Sequence, residues 1–466
     1  MDARTMYGRR VITTDVPEIT AANVVEVLKD AMSNHELNRG EIEYLWKYFK
    51  GDQPILYREK TVRPEICNRV VENRANEIVS FKVGYLCGEP IQYVSRSSDE
   101  NVGDRIGTLN EFMHLVDKAA LDREVVEWQM IAGTANRMVL ANTAYHEDSD
   151  EAPFDMYTLD PRDSFVVYST DVKRRRMMGV KYNTDEFGFK RYSVYTDKLC
   201  FVIDGDKVTS VTPHALGVVP IFEYPANNAR LGSFEIVLPL LDSLNNIESN
   251  RMDGVEQFIQ AFVKFINCDI TADDFAALKD LGAIKVKSVD GQQADVDIVT
   301  NELNQQQTQT LKEDIYKAIL SICGLPSMSD GNTSDSSNNG AVILKNGWQG
   351  AETRAKDSEL MFKRSEKDML RLVLKLCDGL AGLKLKLTDI EPKFTRRNYD
   401  NIQSKSQVLV SMLQQPKIHP LLAFTHCGLF CDPEGAYKMS DAYYVEQMEK
   451  WEPVEVEDTP DSEGDA

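Results

Sequence analysis

Residues 329–340 read SDGNTSDSSNNG, with no apolar and no basic side chain, so nothing in them can be buried to offset the entropy of ordering. From Ala341 the pattern turns helical. Leu344, Trp348, Ala351, Ala355, Phe362, Met369, Leu372 and Leu376 fall at steps of three, four or their sums, which puts them on one face of a helix. A straight helix over 341–380 would run about 55–60 Å at about 1.5 Å per residue, as long as a small domain or longer. Such a helix behind a polar loop is expected to span an assembly.

The chain has 466 residues, enough for about two to four domains. Its 42 % hydrophobic and 27 % charged residues fit an ordinary globular protein. A net charge of −21 repels phosphate and argues against tight non-specific nucleic-acid binding. It leaves room for a channel through which nucleic acid slides. The first residues, MDARTMYGRR, lack the apolar core of a secretory leader, and no apolar run is long enough to span a bilayer. A soluble, non-secreted chain is expected. Eight cysteines are scattered, with only Cys427 and Cys431 close together, so reduced thiols are expected rather than a disulfide framework.

In chain order, a polar arm leads to a helical pattern over 21–32 and a second around Ile42, Leu45, Trp46 and Phe49, stopped by Gly51 and Pro54. The repeat of Val71, Ala75, Ile78, Phe81 and Tyr85 predicts a helix over 65–86, with Gly88 and Pro90 at its stop. A strand over 91–94 and a helical pair over 105–131 follow. A β-rich region then reaches Tyr224, with runs at 165–168, 192–195 and 201–203 bounded by turn residues such as Asp204 and Gly205. This half is expected to be α+β rather than a wound parallel sheet.

From Phe234 a helical stripe returns as Leu238, Leu241, Met252, Val255, Ile259, Phe262 and Ile266, with Pro239 at its start or at a kink. Residues 267–303 form a small insert: a helix over 275–281, a strand over 284–287, a turn at Asp290-Gly291 and a strand over 296–299. A second helix carries Leu311, Ile315, Ile319 and Ile322 before Gly324 and Pro326. A strand-like segment over 383–394 and a helical region over 401–450 close the ordered part. Residues 452–466 carry seven carboxylates, two prolines and no base, and are expected to be disordered.

Several segments resemble, in order, the portal proteins of tailed bacteriophages, in particular the SPP1-like class. They are the helix beginning at Asn68 and followed by Gly88, Glu89 and Pro90; then His214, Leu216, Gly217, Pro220, Asn227 and Asn228; then Phe234, Leu241, Asp242, Asn245 and Ser249; then Gly324, Leu325 and Pro326; then Gly340 and Ala341 with Leu344 and Lys345. The resemblance covers roughly residues 48–444. Where that family often has Ser-Gly-x-Ala-Leu, this chain has Asn339-Gly340-Ala341-Val342-Ile343-Leu344, which leaves the start of the long helix open by a turn.

The resemblance implies a predominantly helical α+β portal fold, assembled as a dodecameric ring at one capsid vertex of the virion. Its parts are a wing over 1–232, a first stem helix over 233–266, a clip over 267–303, a second stem helix over 304–328, a tunnel loop over 329–340, a long wing helix over 341–380, a wing strand segment over 381–399, a crown over 400–451 and the acidic tail. It also implies passage of double-stranded DNA during packaging and ejection, docking of terminase and of a head–tail connector or adaptor, and contact with major capsid and scaffolding proteins during assembly in the bacterial cytoplasm. Ser329, Asp330, Asn332, Asp335, Asn338, Asn339 and Gly340 are then the channel constriction, and Lys285, Lys287, Asp290 and Gly291 the clip's docking surface. Lys312, Lys317 and Lys345 lie on helices that could face the lumen, with ion pairing to a neighbouring subunit an equal reading. Independently, the helices are too long and one-faced for a monomer, and a head-to-tail interface whose rotation closes would bury them in a ring.

No enzyme is expected. The phosphate-cradling G-x-x-x-x-G-K-[ST] pattern is absent, so a packaging ATPase must be another protein. The pairs Asp204/Asp206, Asp273/Asp274 and Asp295/Asp297 sit in turns or in the insert, settings that favour solvated roles over a nuclease site. His419, His426, Cys427 and Cys431 have the wrong order and spacing for zinc, and a buried helical turn is expected instead. No metal, cofactor or membrane partner is expected. Lys173, Arg174, Arg175 and Arg176 read as a solvated turn between strands. The rival classes are a scaffolding or adaptor protein without a channel, and a phage enzyme with an oligomerisation arm.

Overall fold

A computed structural model describes residues 8–61, 63–96, 100–146, 148–259, 262–266, 268–269, 287–288, 295–299, 305–326, 347–395, 402–430 and 432–450. The elements run β1 (Ile12–Thr14), α1 (Val24–Lys50), α2 (Arg74–Leu86), β2 (Gln92–Ser95), α3 (Glu100–Leu115), α4 (Lys118–Ala132), β3 (Thr134–Ala141), β4 (Phe154–Leu159), β5 (Ser164–Ser169), β6 (Arg176–Thr184), β7 (Lys190–Tyr195), β8 (Leu199–Asp204), β9 (Lys207–Pro213) and β10 (Ile221–Pro225). Then come α5 (Leu238–Ile259), β11 (Phe262–Ile266), β12 (Cys268–Asp269), β13 (Lys287–Ser288), β14 (Asp295–Val299), α6 (Gln305–Cys323), α7 (Trp348–Ala381), β15 (Ile390–Lys393), α8 (Ile402–Leu413), α9 (Pro420–Cys427) and α10 (Pro433–Lys450).

The largest sheet has the order β1-β5-β6-β7-β8-β9, antiparallel except that β1 runs parallel to β5. Alternation sets its faces: along β8, Phe201 and Ile203 are buried while their neighbours are less so. The first half of α1 covers that face through Val24, Val27, Leu28, Ala31 and Met32. A second core gathers Leu45 and Tyr48 of the same helix, α2 to α4, the smaller β10-β3-β4 sheet, and Phe362, Met369, Leu372 and Leu376 of α7. The α+β class expected from the alternating runs is present, with antiparallel hairpins in place of crossover units.

Several elements differ from the expectation. The two helical patterns before Lys50 are one 27-residue helix. Its apolar period lapses between Met32 and Ile42 because buried His35 and Asn38 hold that face. His35 Nε2 lies 3.0 Å from the Arg162 carbonyl oxygen, and the Asn38 carboxamide exchanges two 2.9 Å hydrogen bonds with the Arg10 backbone. The helix expected over 65–86 begins only at Arg74, with the Asn73 side chain accepting the Asn76 amide, because the preceding amides bond elsewhere.

The stripe read through Phe262 and Ile266 is also two elements. Helix α5 ends at Ile259, and those two residues lie in β11, which pairs antiparallel with β14. Finally, α7 starts at Trp348 after Gly347, held at φ 77°, a left-handed conformation that glycine adopts without strain. Leu344 lies outside the described residues. The segment read as a strand over 383–394 is a strand only at β15, which follows a short 3-10 turn at Leu387–Asp389 and pairs with β2.

Candidate functional site

The first candidate region is the root of α5. Asp242, Asn245, Ser249 and Asp253 fall at steps of three, four and four, on one face, and that polar face is turned inward: Asn245 and Ser249 are wholly buried and Asp253 nearly so. The Asn245 side-chain oxygen accepts the Glu72 amide at 2.9 Å, Ser249 Oγ accepts the Val70 amide at 3.0 Å, and Asp253 Oδ1 accepts the Asn68 amide at 2.7 Å. Four helical residues advance about 6 Å and two extended residues about 6.5 Å. The steps match, so α5 reads alternate amides of an extended segment. This explains why residues 68–72 are not helical although their apolar pattern continues that of α2.

The same bonds rotate α5. Met252 and Val255, expected on its buried stripe, are 45 % and 38 % exposed. Neighbouring side chains complete the root: Tyr48 donates to Asp242 at 2.9 Å, and Lys60 Nζ lies 2.9 Å from Asp253. Burial raises the Asp242 pKa, against the Tyr48 hydrogen bond.

Helix α6 is joined to this root by charge. Lys312 Nζ lies 2.6 Å from Glu248 of α5 and 3.3 Å from Glu72. Against the effect of burial, Lys312 and then Arg251 hold Glu248 below the usual carboxylate range. Tyr316 donates to Glu77 of α2 at 2.7 Å, under the Arg74 guanidinium at 4.2 Å. Ile319, Leu320 and Cys323 are buried, whereas Leu311 and Ile322, expected on the apolar stripe, are 52 % and 40 % exposed.

The end of α6 and the start of α7 lie together. Gly324 at φ 70° stops α6, as expected, and the Arg354 guanidinium of α7 donates to the Ile322 carbonyl oxygen, satisfying one of the helix's last acceptors. Trp348 packs on Phe81 and Tyr85 of α2 with ring centroids 6.0 Å apart. The described residues on either side of 327–346 therefore lie in one part of the body.

The second candidate is a buried charge quartet under α7. Lys118 and Asp122 come from consecutive turns of α4, Arg137 from β3 and Glu366 from α7, and none of the four side chains is more than 4 % exposed. Lys118 Nζ lies 2.6 Å from Asp122 and 2.9 Å from Glu366. Arg137 lies 2.7 Å from Asp122 and 3.5 Å from Glu366. Tyr224 donates to Glu366 at 2.7 Å and Tyr93 donates to its other oxygen. Burial alone would raise the Glu366 pKa, but Lys118 and then Arg137 hold it down. Burial, then Glu366, raises both tyrosines well above their ordinary value. Two cations and two anions thus balance in charge, although Arg137 Nε and Nη1 find no hydrogen-bond acceptor among the described residues, and the arrangement fixes α7 on the body.

Sequence reasoning passed over this quartet, although a signal was present. Glu366 stands four residues after Phe362 and three before Met369, inside the apolar stripe, and Arg137 precedes Met138, Val139 and Leu140 in a strand.

Among the other expected residues, Lys312 is held in the ion pairs above, while Lys317 is exposed with no ion pair among the described residues. Lys345, Lys285, Asp290, Gly291 and the whole of 329–340 lie outside the described residues, as do 452–466. Lys287 lies in β13. Asp204 pairs with Arg191 at 2.7 Å and Asp206 with Lys29 at 3.0 Å, beside Gly205 at φ 59°, in the expected turn. His419 caps α9, its Nδ1 accepting the Leu421 amide at 3.2 Å, and Cys427 is buried; Cys431 lies outside the described residues. Lys173, Arg174 and Arg175 are exposed in the β5–β6 turn, but Arg176 opens β6 with its guanidinium 4.0 Å from the Phe222 ring centre, which corrects the reading of the four as one solvated turn. No helix among the described residues is long and apolar enough to cross a membrane.

Comparison with known proteins gives three results. A family model described as "Phage portal protein, SPP1 Gp6-like" matches residues 28–458. No curated protein matches. A solved structure described as "Neck of empty GTA particle computed with C6 symmetry" superposes with a TM-score of 0.48 at 11 % identity, covering 84 % of this chain and 94 % of that one.

Proposed function

Because the chain belongs to the SPP1 Gp6-like phage portal proteins, a structural family of the phage particle, we propose that it is the subunit of a dodecameric ring at one capsid vertex, through which double-stranded DNA is packaged and ejected. In this proposal the body up to residue 232, with α7 and the segment to 399, is the wing. Helices α5 and α6 are the stem, and the insert between them is the clip, which docks terminase and later the head–tail adaptor through a surface including Lys285, Lys287, Asp290 and Gly291. Helices α8 to α10 are the crown. Capsid and scaffolding proteins meet the ring during assembly in the host cytoplasm. The chain itself carries out no catalysis.

One observation carries the ring. The polar stripe of α5 and the Lys312 ammonium of α6 are satisfied inside the subunit, while Met252, Val255, Leu311 and Ile322 are left between 38 % and 52 % exposed. An apolar set on two neighbouring helices whose polar face is already used calls for a second copy, and a head-to-tail contact that closes supplies one to every subunit. The described residues that flank 327–346 meet where Arg354 reaches the end of α6, which supports a loop projected from the stem's inner end as the channel constriction, with Ser329, Asp330, Asn332, Asp335, Asn338, Asn339 and Gly340 in it.

A net charge of −21 suits a channel that must release DNA at every step, since each retained phosphate contact adds salt-dependent affinity. Cryo-electron microscopy of the purified protein tests the proposal. A closed twelve-fold ring is expected, with α5 and α6 around an axial hole of about 20 Å or more, wide enough for a duplex whose grooves alone are about 12 and 6 Å across. An assembly without an axial opening, or one with residues 329–340 on its outer surface, overturns it.

A further inference from the structure

A groove of about 860 Å³ runs between the β5–β6 turn, β10 and the middle of α7. In a chain of net charge −21, its walls are basic. Several of its charges cancel. Glu223 is held by Arg230 at 2.6 Å and accepts from Tyr168 at 2.8 Å and Thr134 at 3.0 Å. Asp368 pairs with Arg371, and Glu18 with Lys198 at 3.7 Å. What remains is Lys173, Arg174, Arg176 and Arg364, none with a side-chain hydrogen bond or ion pair among the described residues, against Asp197.

Arg176 is the telling member. Its guanidinium lies over the Phe222 ring, 4.0 Å from the ring centre, and burial lowers its pKa. Asp368 is a nearby carboxylate but makes no direct ion pair with Arg176, and a partly desolvated cation without a bonded counter-ion gains more from an incoming carboxylate than a solvated one does. The floor beneath is apolar, with Val218, Val219, Phe222 and Met361 among its lining.

We propose that this groove binds the acidic segment 451–466 of the same protein, with its carboxylates on Arg176, Arg364, Lys173 and Arg174 and its apolar side chains on the groove floor. That segment has seven carboxylates and no base, and interleaves them with Trp451, Pro453, Val454, Val456 and Pro460, the alternation the groove presents in reverse. It follows α10, which ends at Lys450, and its 16 residues reach up to about 55 Å when extended. A duplex is the poorer occupant. It offers phosphates without an apolar face to meet the groove floor.

The test uses the full chain with photo-crosslinking benzoylphenylalanine in place of Val456, read by mass spectrometry. Crosslinks are expected in peptides containing 173–176 or 361–368, falling several-fold between about 50 mM and 500 mM salt and about tenfold in the double variant Arg176→Glu/Arg364→Glu. Should that variant fold poorly by circular dichroism, Glu455→Gln/Glu457→Gln/Asp458→Asn leaves the body untouched and is expected to lower the yield likewise. Crosslinks elsewhere, a yield indifferent to both sets of substitutions, or displacement by a short DNA duplex but not by free 451–466 peptide overturns the assignment. The readout does not depend on ring closure, so its failure leaves the portal proposal standing, and the reverse holds too.

Discussion

The Glu366 carboxylate of the long helix lies 2.9 Å from the Lys118 ammonium, with the first side chain wholly buried and the second 4 % exposed. The contact joins α7 to α4 in the same core where Phe362 and Met369 pack, so the helix is fixed in rotation as well as in position.

Glu366→Leu leaves Lys118 and Arg137 facing Asp122 alone. Breaking a buried pair from one side typically costs about 3 to 5 kcal/mol, and a loss of that order is expected in urea unfolding. The double variant Glu366→Leu/Lys118→Met removes one charge of each sign and is expected to recover much of the loss. A single variant within about 1 kcal/mol of the native chain would show that the quartet does not hold α7.

His35 predicts an acid-sensitive window. Its pKa is lowered from 6.5 to about 4, by burial first, so between those values the unfolded chain takes up a proton that the folded one refuses. Stability is therefore expected to fall as pH drops from 6.5 and to level off, for this group, below about 4. The loss is about 3 kcal/mol at 1.4 kcal/mol per unit. Unfolding measured at intervals from pH 7 to 4 is expected to show a shallower slope for His35→Gln, and equal slopes would refute the assignment.

Asn245→Ala removes one rung between α5 and the extended segment, orphaning the Glu72 amide and the Gln53 side-chain oxygen that receives Asn245 Nδ2 at 2.5 Å. A loss of about 1–3 kcal/mol is expected. Hydrogen exchange at Glu72 should accelerate most, with Val70 and Asn68 following. Unchanged protection at Glu72 would mean that the amide has another acceptor.

Lys312 and Lys317 are expected to separate in behaviour. Lys312→Gln leaves Glu248 and Glu72 without their shared cation and is expected to lower stability by about 1 kcal/mol with little effect on DNA retention in assembled rings. Lys317→Gln is expected to leave the melting temperature unchanged and to reduce the salt dependence of DNA retention. The reverse pattern, read from thermal melts and filter binding across salt, would exchange their roles.

Much of the architecture was legible where burial and period agree. The hairpin strands, the stops at Gly51 and Gly324, and the lower stripe of α7 are cases in which each residue's side and chemistry point the same way. The reading failed where polar side chains do the burying. His35 and Asn38 made one helix look like two, and Asn245, Ser249 and Asp253 drew residues 68–72 out of a helix that Val71 and Ala75 appeared to begin. Period alone cannot reveal such partners, because they lie from 28 to 185 residues away in sequence. The same rule hid Glu366, which counts against a stripe until its cations are known.

The match of step between α5 and the extended segment also has a mechanical side. A pull along the α5 axis shears the bonds to Asn68, Val70 and Glu72 together, so all three must yield at once. A pull across the axis peels them one after another, at far smaller force. The joint is therefore stiffer along the α5 axis than across it.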